Sequence, residues 1–102
     1  MPRRGRGFDC TMDEVVDVPE HHRYELRVDG EVAGMVVYEL DGSVINLVHT
    51  EIEPAFEGQG MGGRIASGVL DDVRRRGLQV VASCPFLGSW IERHPDYGDL
   101  LV

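Results

Sequence analysis

The chain has 102 residues, a length that suits one domain with a modest core. Its 42% hydrophobic and 27% charged residues are the proportions of an ordinary soluble globular domain, and no apolar run approaches the roughly 20 residues that span a bilayer. A formal net charge of −8 argues against nucleic-acid binding, which needs a basic face to neutralise phosphates.

The chain opens on Met1-Pro2-Arg3-Arg4-Gly5-Arg6-Gly7, basic but followed by no apolar stretch, so it does not read as a secretory signal. A cytoplasmic location is the expectation. Residues 1–22 are polar and punctuated by Gly and Pro; they read as a partly irregular arm that adds at most an edge strand between Phe8 and Val18, leaving residues 23–102 as the domain. From Arg23 to Val28 apolar and charged residues alternate, which predicts a half-buried strand with Tyr24, Leu26 and Val28 inward. Glu31 to Leu40 and Ser43 to Thr50 follow as two further strands, separated by Asp29-Gly30 and Asp41-Gly42. Asp-Gly between strand patterns predicts a type I′ hairpin turn, and two of them predict a three-stranded antiparallel meander.

The period then changes. Met61, Ile65, Val69 and Val73 recur every four residues, flanked by Ala66 and Leu70, which predicts an amphipathic helix over residues 60–76 with one buried stripe. Arg74-Arg75-Arg76 complements the dipole at its end, and Gly77 caps it. Leu78 to Ser83 reads as a strand, reached by a right-handed crossover and therefore parallel to its neighbour. Pro85 opens a short helix that Pro95 ends, and Asp96 to Val102 is a tail. The expected fold class is α+β with a mixed sheet: antiparallel meander, glycine-opened helix, parallel strand, short C-terminal helix.

Cys10 and Cys84 form no C-x-x-C, and the histidines are scattered, so two free thiols are expected and neither a disulfide framework nor a metal site. The chemistry-bearing stretch is Glu57-Gly58-Gln59-Gly60-Met61-Gly62-Gly63 at the start of the long helix. Glycines at a helix start cost conformational entropy; the cost is rational where unpaired amides must approach a phosphate closely. Gly58, Gly60 and Gly63 also fit G-x-G-x-x-G, but the position about 20 residues on holds no acid and the preceding strands are antiparallel, which excludes a dinucleotide fingerprint. No Gly-Lys-Ser/Thr follows, which excludes a Walker loop.

The stretch from His49-Thr50-Glu51-Ile52-Glu53-Pro54 through Gly63 resembles the acetyl-CoA loop of GNAT-type acetyltransferases, whose signature is Arg/Gln-x-x-Gly-x-Gly/Ala. Gly60 and Gly62 fall on its two small positions, and Glu57 departs from Arg or Gln at the first. His49-Thr50-Glu51, the glycine loop and Cys84-Pro85-Phe86 continuing to Tyr97 together resemble the very small single-domain branch of that superfamily. The resemblance implies a pyrophosphate on the amides of Gln59 to Gly63, with Met61 between them. It implies a pantetheine arm beside Glu51, Ile52 and Glu53, and a thioester where that strand and the Leu78–Cys84 strand part. Acetyl-CoA would be the co-substrate and an amine, small or on a protein, the acceptor; no nucleic acid and no membrane would be involved. The chain would be a monomer or weak homodimer. A non-catalytic CoA-binding module or subunit is the alternative.

A lysine-like amine, with a pKa of about 10.4, must lose a proton before attack. An oxyanion would need a donor, for which a backbone amide near Ile52 is the candidate. Cys84 is the candidate for protonating the leaving thiolate or for accepting the acetyl group; otherwise it is a small buried hydrophobe. His49, leading the cleft strand, is the candidate base, and Glu51 and Glu53 could attract a cation. Arg64, one turn into the helix, and Arg74 to Arg76 are candidates for CoA phosphates or else solvated. Tyr97 is a candidate acid or packing, His94 a helix-end partner, Trp90 and Phe86 core, and His21 and His22 solvated.

Overall fold

The computed structural model describes residues 13–102. Cys10 and the Met1–Gly7 stretch lie outside these. A five-stranded sheet in the order β1-β2-β3-β4-β5 is built from β1 (Asp13–Val18), β2 (Arg23–Val28), β3 (Glu31–Asp41), β4 (Val44–Ile52) and β5 (Gln79–Ala82). The first four are antiparallel to their neighbours, and β5 lies parallel to β4. Two helices, α1 (Met61–Arg75) and α2 (Pro85–Glu92), complete the α+β fold.

The alternation in β2 has the expected outcome: Tyr24, Leu26 and Val28 are buried. The helix stripe Met61, Ile65, Ala66, Val69, Leu70 and Val73 covers them and joins Leu87, Trp90 and Ile91 of α2 in one core. Burial of these apolar side chains, worth roughly 25 cal/mol per Å² removed from water, holds the sheet to its helices. Both helices share one face of the sheet, and Arg23, Arg27, His49, Glu51 and Val81 project from the other, where among the described residues no helix packs. Gly77, at φ +71°, ends α1, with the Leu78 amide bonded back to the Val73 carbonyl.

Two details differ from the sequence expectation. At the first hairpin Asp29 and Gly30 both have positive φ, as a type I′ turn requires. At the second, Asp41 still pairs with Val44, so the central residues are Gly42 and Ser43 rather than Asp41 and Gly42. Gly42 alone takes the positive φ there, the pattern of a type II′ turn. The meander is also four strands long. Asp13–Val18 pairs with β2 along its full length, and Val15 packs so close to Gly68 of α1 that a Cβ there would meet it at 2.3 Å.

Candidate functional site

The site begins where β4 and β5 part. They pair from Val44–Gln79 to Leu47–Ala82, and the Cys84 amide adds one last bond to the Leu47 carbonyl. β4 then runs on through Val48 to Ile52 with β3 on one side and, among the described residues, no strand on the other. The chain leaves β5 because Pro85, which has no N–H to donate to a ladder, opens α2. The exposed edge of β4 is therefore a set of unpaired peptide groups facing a gap.

The same strand delivers the glycine loop. Glu53 donates to the Ala33 carbonyl, residues 54–56 form one tight turn, and the Gln59 side chain braces the loop on the Ala55 carbonyl. Gly60, at φ +77°, is the N-cap of α1, a backbone state that L side chains avoid. The first intrahelical bond runs from the Arg64 amide to the Gly60 carbonyl. The amides of Met61, Gly62 and Gly63 thus have no intrahelical acceptor, and no acid occupies the first turn. Gly62 has a packing reason of its own: a Cβ would meet the Phe86 ring at 2.9 Å. A Cβ at Gly58 or Gly60 would meet only open space, so no packing neighbour requires glycine at either position.

Cys84, the residue before α2, is buried at 4% exposure, and its Sγ lies 3.3 Å from the Thr50 hydroxyl. Thr50 pairs across the sheet with Val36, a core residue of the helix-covered face. His49 and Glu51 pair with Val37 and Met35 and project from the opposite face, where the imidazole Nε2 lies 3.0 Å from the Glu51 carboxylate. Both of those side chains are more than half exposed. A bulge in β4 arranges this. Val48 has no partner on β3, so Leu47 and Thr50 face the helices while the two residues between them face out. Thr50 lies inside a motif that sequence reading singles out, yet receives no role there. A strict period of two puts Leu47 and Thr50 on opposite faces, and only the bulge reunites them.

The other candidates are tied up elsewhere. Arg64 pairs with Asp13 of β1. Arg74 forks onto Asp99, Arg75 pairs with Asp72, and Arg76 donates to the Tyr24 hydroxyl and to Asp17, so each of the three has a partner within the chain. Tyr97 donates to Asp71, and that bond, with burial behind it, raises the phenol above its usual range. Its hydroxyl is thus engaged on α1. His94 stacks on Trp90 with centroids 3.7 Å apart and meets the Trp90 carbonyl at the end of α2. Trp90 is core, but Phe86 is not: it stays 37% exposed, with the tip of its ring against Gly62 at the start of α1. Among the described residues, no three His, Cys, Asp or Glu side chains gather as metal ligands, and no helix is long and apolar enough to cross a membrane.

The geometry has counterparts in known proteins. The chain is 24% identical over 78 residues to Protein NATD1 of Mus musculus, covering 74% of this chain and 71% of that one. Its fold superposes on a GCN5-like putative N-acetyltransferase from Staphylococcus aureus, with a TM-score of 0.66, 23% identity and 87% of each chain covered. It also matches the ribosomal-protein-S18-alanine N-acetyltransferase of Escherichia coli, with a TM-score of 0.52 and 19% identity, over 57% of this chain and 38% of that enzyme. The family model described as GCN5-related N-acetyl-transferase matches residues 23–100, and the chain belongs to that family.

Proposed function

We propose that this protein transfers an acetyl group from acetyl-CoA to a primary amine. The observation that carries the reading is the parting of β4 and β5 directly beside a helix start whose amides are free. A diphosphate fits the cradle at Gln59 to Gly63, since hydrogen-bond donors and the helix dipole both favour an anion there. The edge of β4 at Glu51 to Glu53 offers peptide groups to the pantetheine amides, and the gap takes the thioester. Glu57 brings no positive charge, and Arg64 reaches the phosphates only by leaving Asp13, so main-chain donors hold the ligand.

On the helix-free face His49, braced by Glu51, stands where an amine can lose its proton on the way to attack. The carboxylate also draws a cationic amine toward that face. Cys84 stands on the opposite side, beside the sulfur. One feature favours the second reading, a CoA-binding module without turnover: His49 and Cys84 do not touch, so catalysis rests on a ligand that bridges them.

Incubation with acetyl-CoA and a panel of primary amines (phenethylamine, spermidine and a lysine peptide) decides between the two, with CoA thiol release and acetylated amine as readouts. Turnover supports the enzyme. Binding to CoA alone raises stability, by about 2.7 kcal/mol at 100 times Kd; with no acetylated amine, that outcome supports the module.

A further inference from the structure

Resting on the acetyl-transfer reading above, we propose that Trp90 is a side-chain donor to bound CoA: its indole N–H joins the free amides of Met61 to Gly63 in holding the diphosphate. Phe86 and Trp90 stand four residues apart in α2 and so share one face of that helix. The face meets the start of α1 at its two adjacent glycines. A Cβ on Gly62 would strike the Phe86 ring, and a Cβ on Gly63 would sit 3.6 Å from the Trp90 Nε1. The indole nitrogen therefore stands beside Gly63, whose amide is one of the three without an intrahelical acceptor.

Trp90 is 7% exposed, yet among the described residues its N–H has no hydrogen-bond acceptor. A buried indole ordinarily finds one, because taking the N–H out of water unpaired costs free energy. The nitrogen is not sealed in either. Among the described residues the one enclosed side-chain polar atom without a partner is Asn46 Oδ1, so the indole nitrogen keeps access to solvent, and it does so beside the first turn of α1. The ring is held in place. His94 stacks on it with centroids 3.7 Å apart and bonds to the Trp90 carbonyl, and the Tyr97 ring lies 5.4 Å away. A donor fixed before the ligand arrives gives up little freedom on binding. An indole N–H donates and cannot accept. Its acceptor at this end of α1 is an anion, which the helix dipole favours and whose charge strengthens the bond. With Arg64 paired to Asp13, an uncharged side chain thus adds to the main-chain donors.

Trp90 is the only tryptophan of the chain, so a proton–nitrogen correlation spectrum carries a single indole N–H signal and reports this residue alone. The wild-type protein is titrated with CoA, with inorganic pyrophosphate and with S-acetylpantetheine, which has no phosphate. CoA and pyrophosphate move the indole signal downfield together with the amides of Gly62 and Gly63, while acetylpantetheine leaves the indole signal in place. Trp90→Phe keeps an aromatic ring and deletes the donor. It weakens CoA binding in calorimetry about tenfold, the scale of one hydrogen bond to a charged group, and leaves the affinity for acetylpantetheine unchanged. The spectra need no variant and hold even if Trp90→Phe misfolds. Glycine amides that respond to CoA while the indole does not, or an indole that responds equally to acetylpantetheine, overturn the proposal and leave CoA binding standing. A wild-type protein that does not bind CoA in calorimetry overturns the reading beneath it, and the proposal with it.

Discussion

His49 and Thr50 are consecutive in β4 and project from opposite faces of the sheet, His49 in register with Val37 and Thr50 with Val36. A thioester lying in the gap beside this strand would have the imidazole on one side and the Cys84 sulfur on the other. The two protons of acetyl transfer, one leaving the amine and one arriving at the thiolate, then travel on separate sides. His49→Gln is expected to lower kcat/KM about a hundredfold, the scale of one general base, with Kd for CoA unchanged. Steady-state kinetics beside calorimetry checks this, and an equal loss in CoA affinity would place His49 in ligand binding instead.

The left-handed backbone of Gly60 tests the cradle. An alanine there meets no neighbour, so the whole penalty is conformational, about 1–2 kcal/mol. If the loop escapes the strain by reshaping, the amides of Met61 to Gly63 lose their alignment and CoA binding weakens by about tenfold. Gly60→Ala is therefore expected to show either a lower melting temperature or a raised Kd for CoA. A variant unchanged in both would mean that this bend neither needs glycine nor holds the ligand.

Gly68 lets β1 lie against α1. A Cβ at Gly68 would sit 2.3 Å from a Val15 methyl, so Gly68→Ala must push the edge strand away. Overpacking of this kind costs about 1–3 kcal/mol, read from denaturant midpoints at constant slope. Val15→Ala in the same chain is expected to recover most of the loss, a coupling that contact between the two residues requires. Independent, additive effects would mean that β1 is not packed as described.

Much of this fold is legible in the residues, and the exceptions share a cause. The β2 alternation and the α1 stripe are strong periodic signals, and the burial of Leu26 and Ile65 follows them. Gly42 is legible as a turn, but whether it stands first or second in that turn depends on strand register, which is a long-range property. The Val48 bulge is invisible to local pattern because it exists only against β3, and with it goes the pairing of Thr50 and Cys84. Arg64 and Arg76 read as free cations because their partners, Asp13 and Asp17, are more than fifty residues away along the chain. The glycine loop is legible as a motif. Its cost is not, since Gly62 answers to Phe86 as well as to any ligand.

Glu25 is expected to contribute to the acid limb of stability. It is 4% exposed on the helix-free face, clamped between Arg27 and Arg23. Hydrogen bonds from Arg27 and then Arg23 hold its carboxyl below the usual range, against the opposing effect of burial. A carboxyl depressed in the folded state stabilises above its unfolded pKa of about 4.3 and loses that contribution as pH falls through the folded value. Glu25→Gln is expected to cost about 1–2 kcal/mol at neutral pH and to flatten the decline below about pH 4. Thermal unfolding from pH 7 to pH 2 measures both. An unchanged acid limb would assign the decline to other carboxylates.

Tyr97 separates packing from catalysis at the C-terminus. Its hydroxyl donates to Asp71 at 2.8 Å, its ring lies 5.4 Å from that of Trp90, and the Arg74 guanidinium sits 5.8 Å from its centroid. These contacts tie residues 95–100 to α1 and engage the hydroxyl there. The bond to Asp71 and burial both favour the neutral phenol, so the proton is held more tightly than in a free tyrosine. Tyr97→Phe keeps the ring and deletes the donor. It is expected to lower stability by about 1 kcal/mol while leaving kcat on acetyl-CoA within experimental error and the alkaline limb of the pH–rate profile in place. A loss of kcat that exceeds the loss of stability, with the alkaline limb gone, would make Tyr97 the acid and require the tail to swing from α1 into the gap.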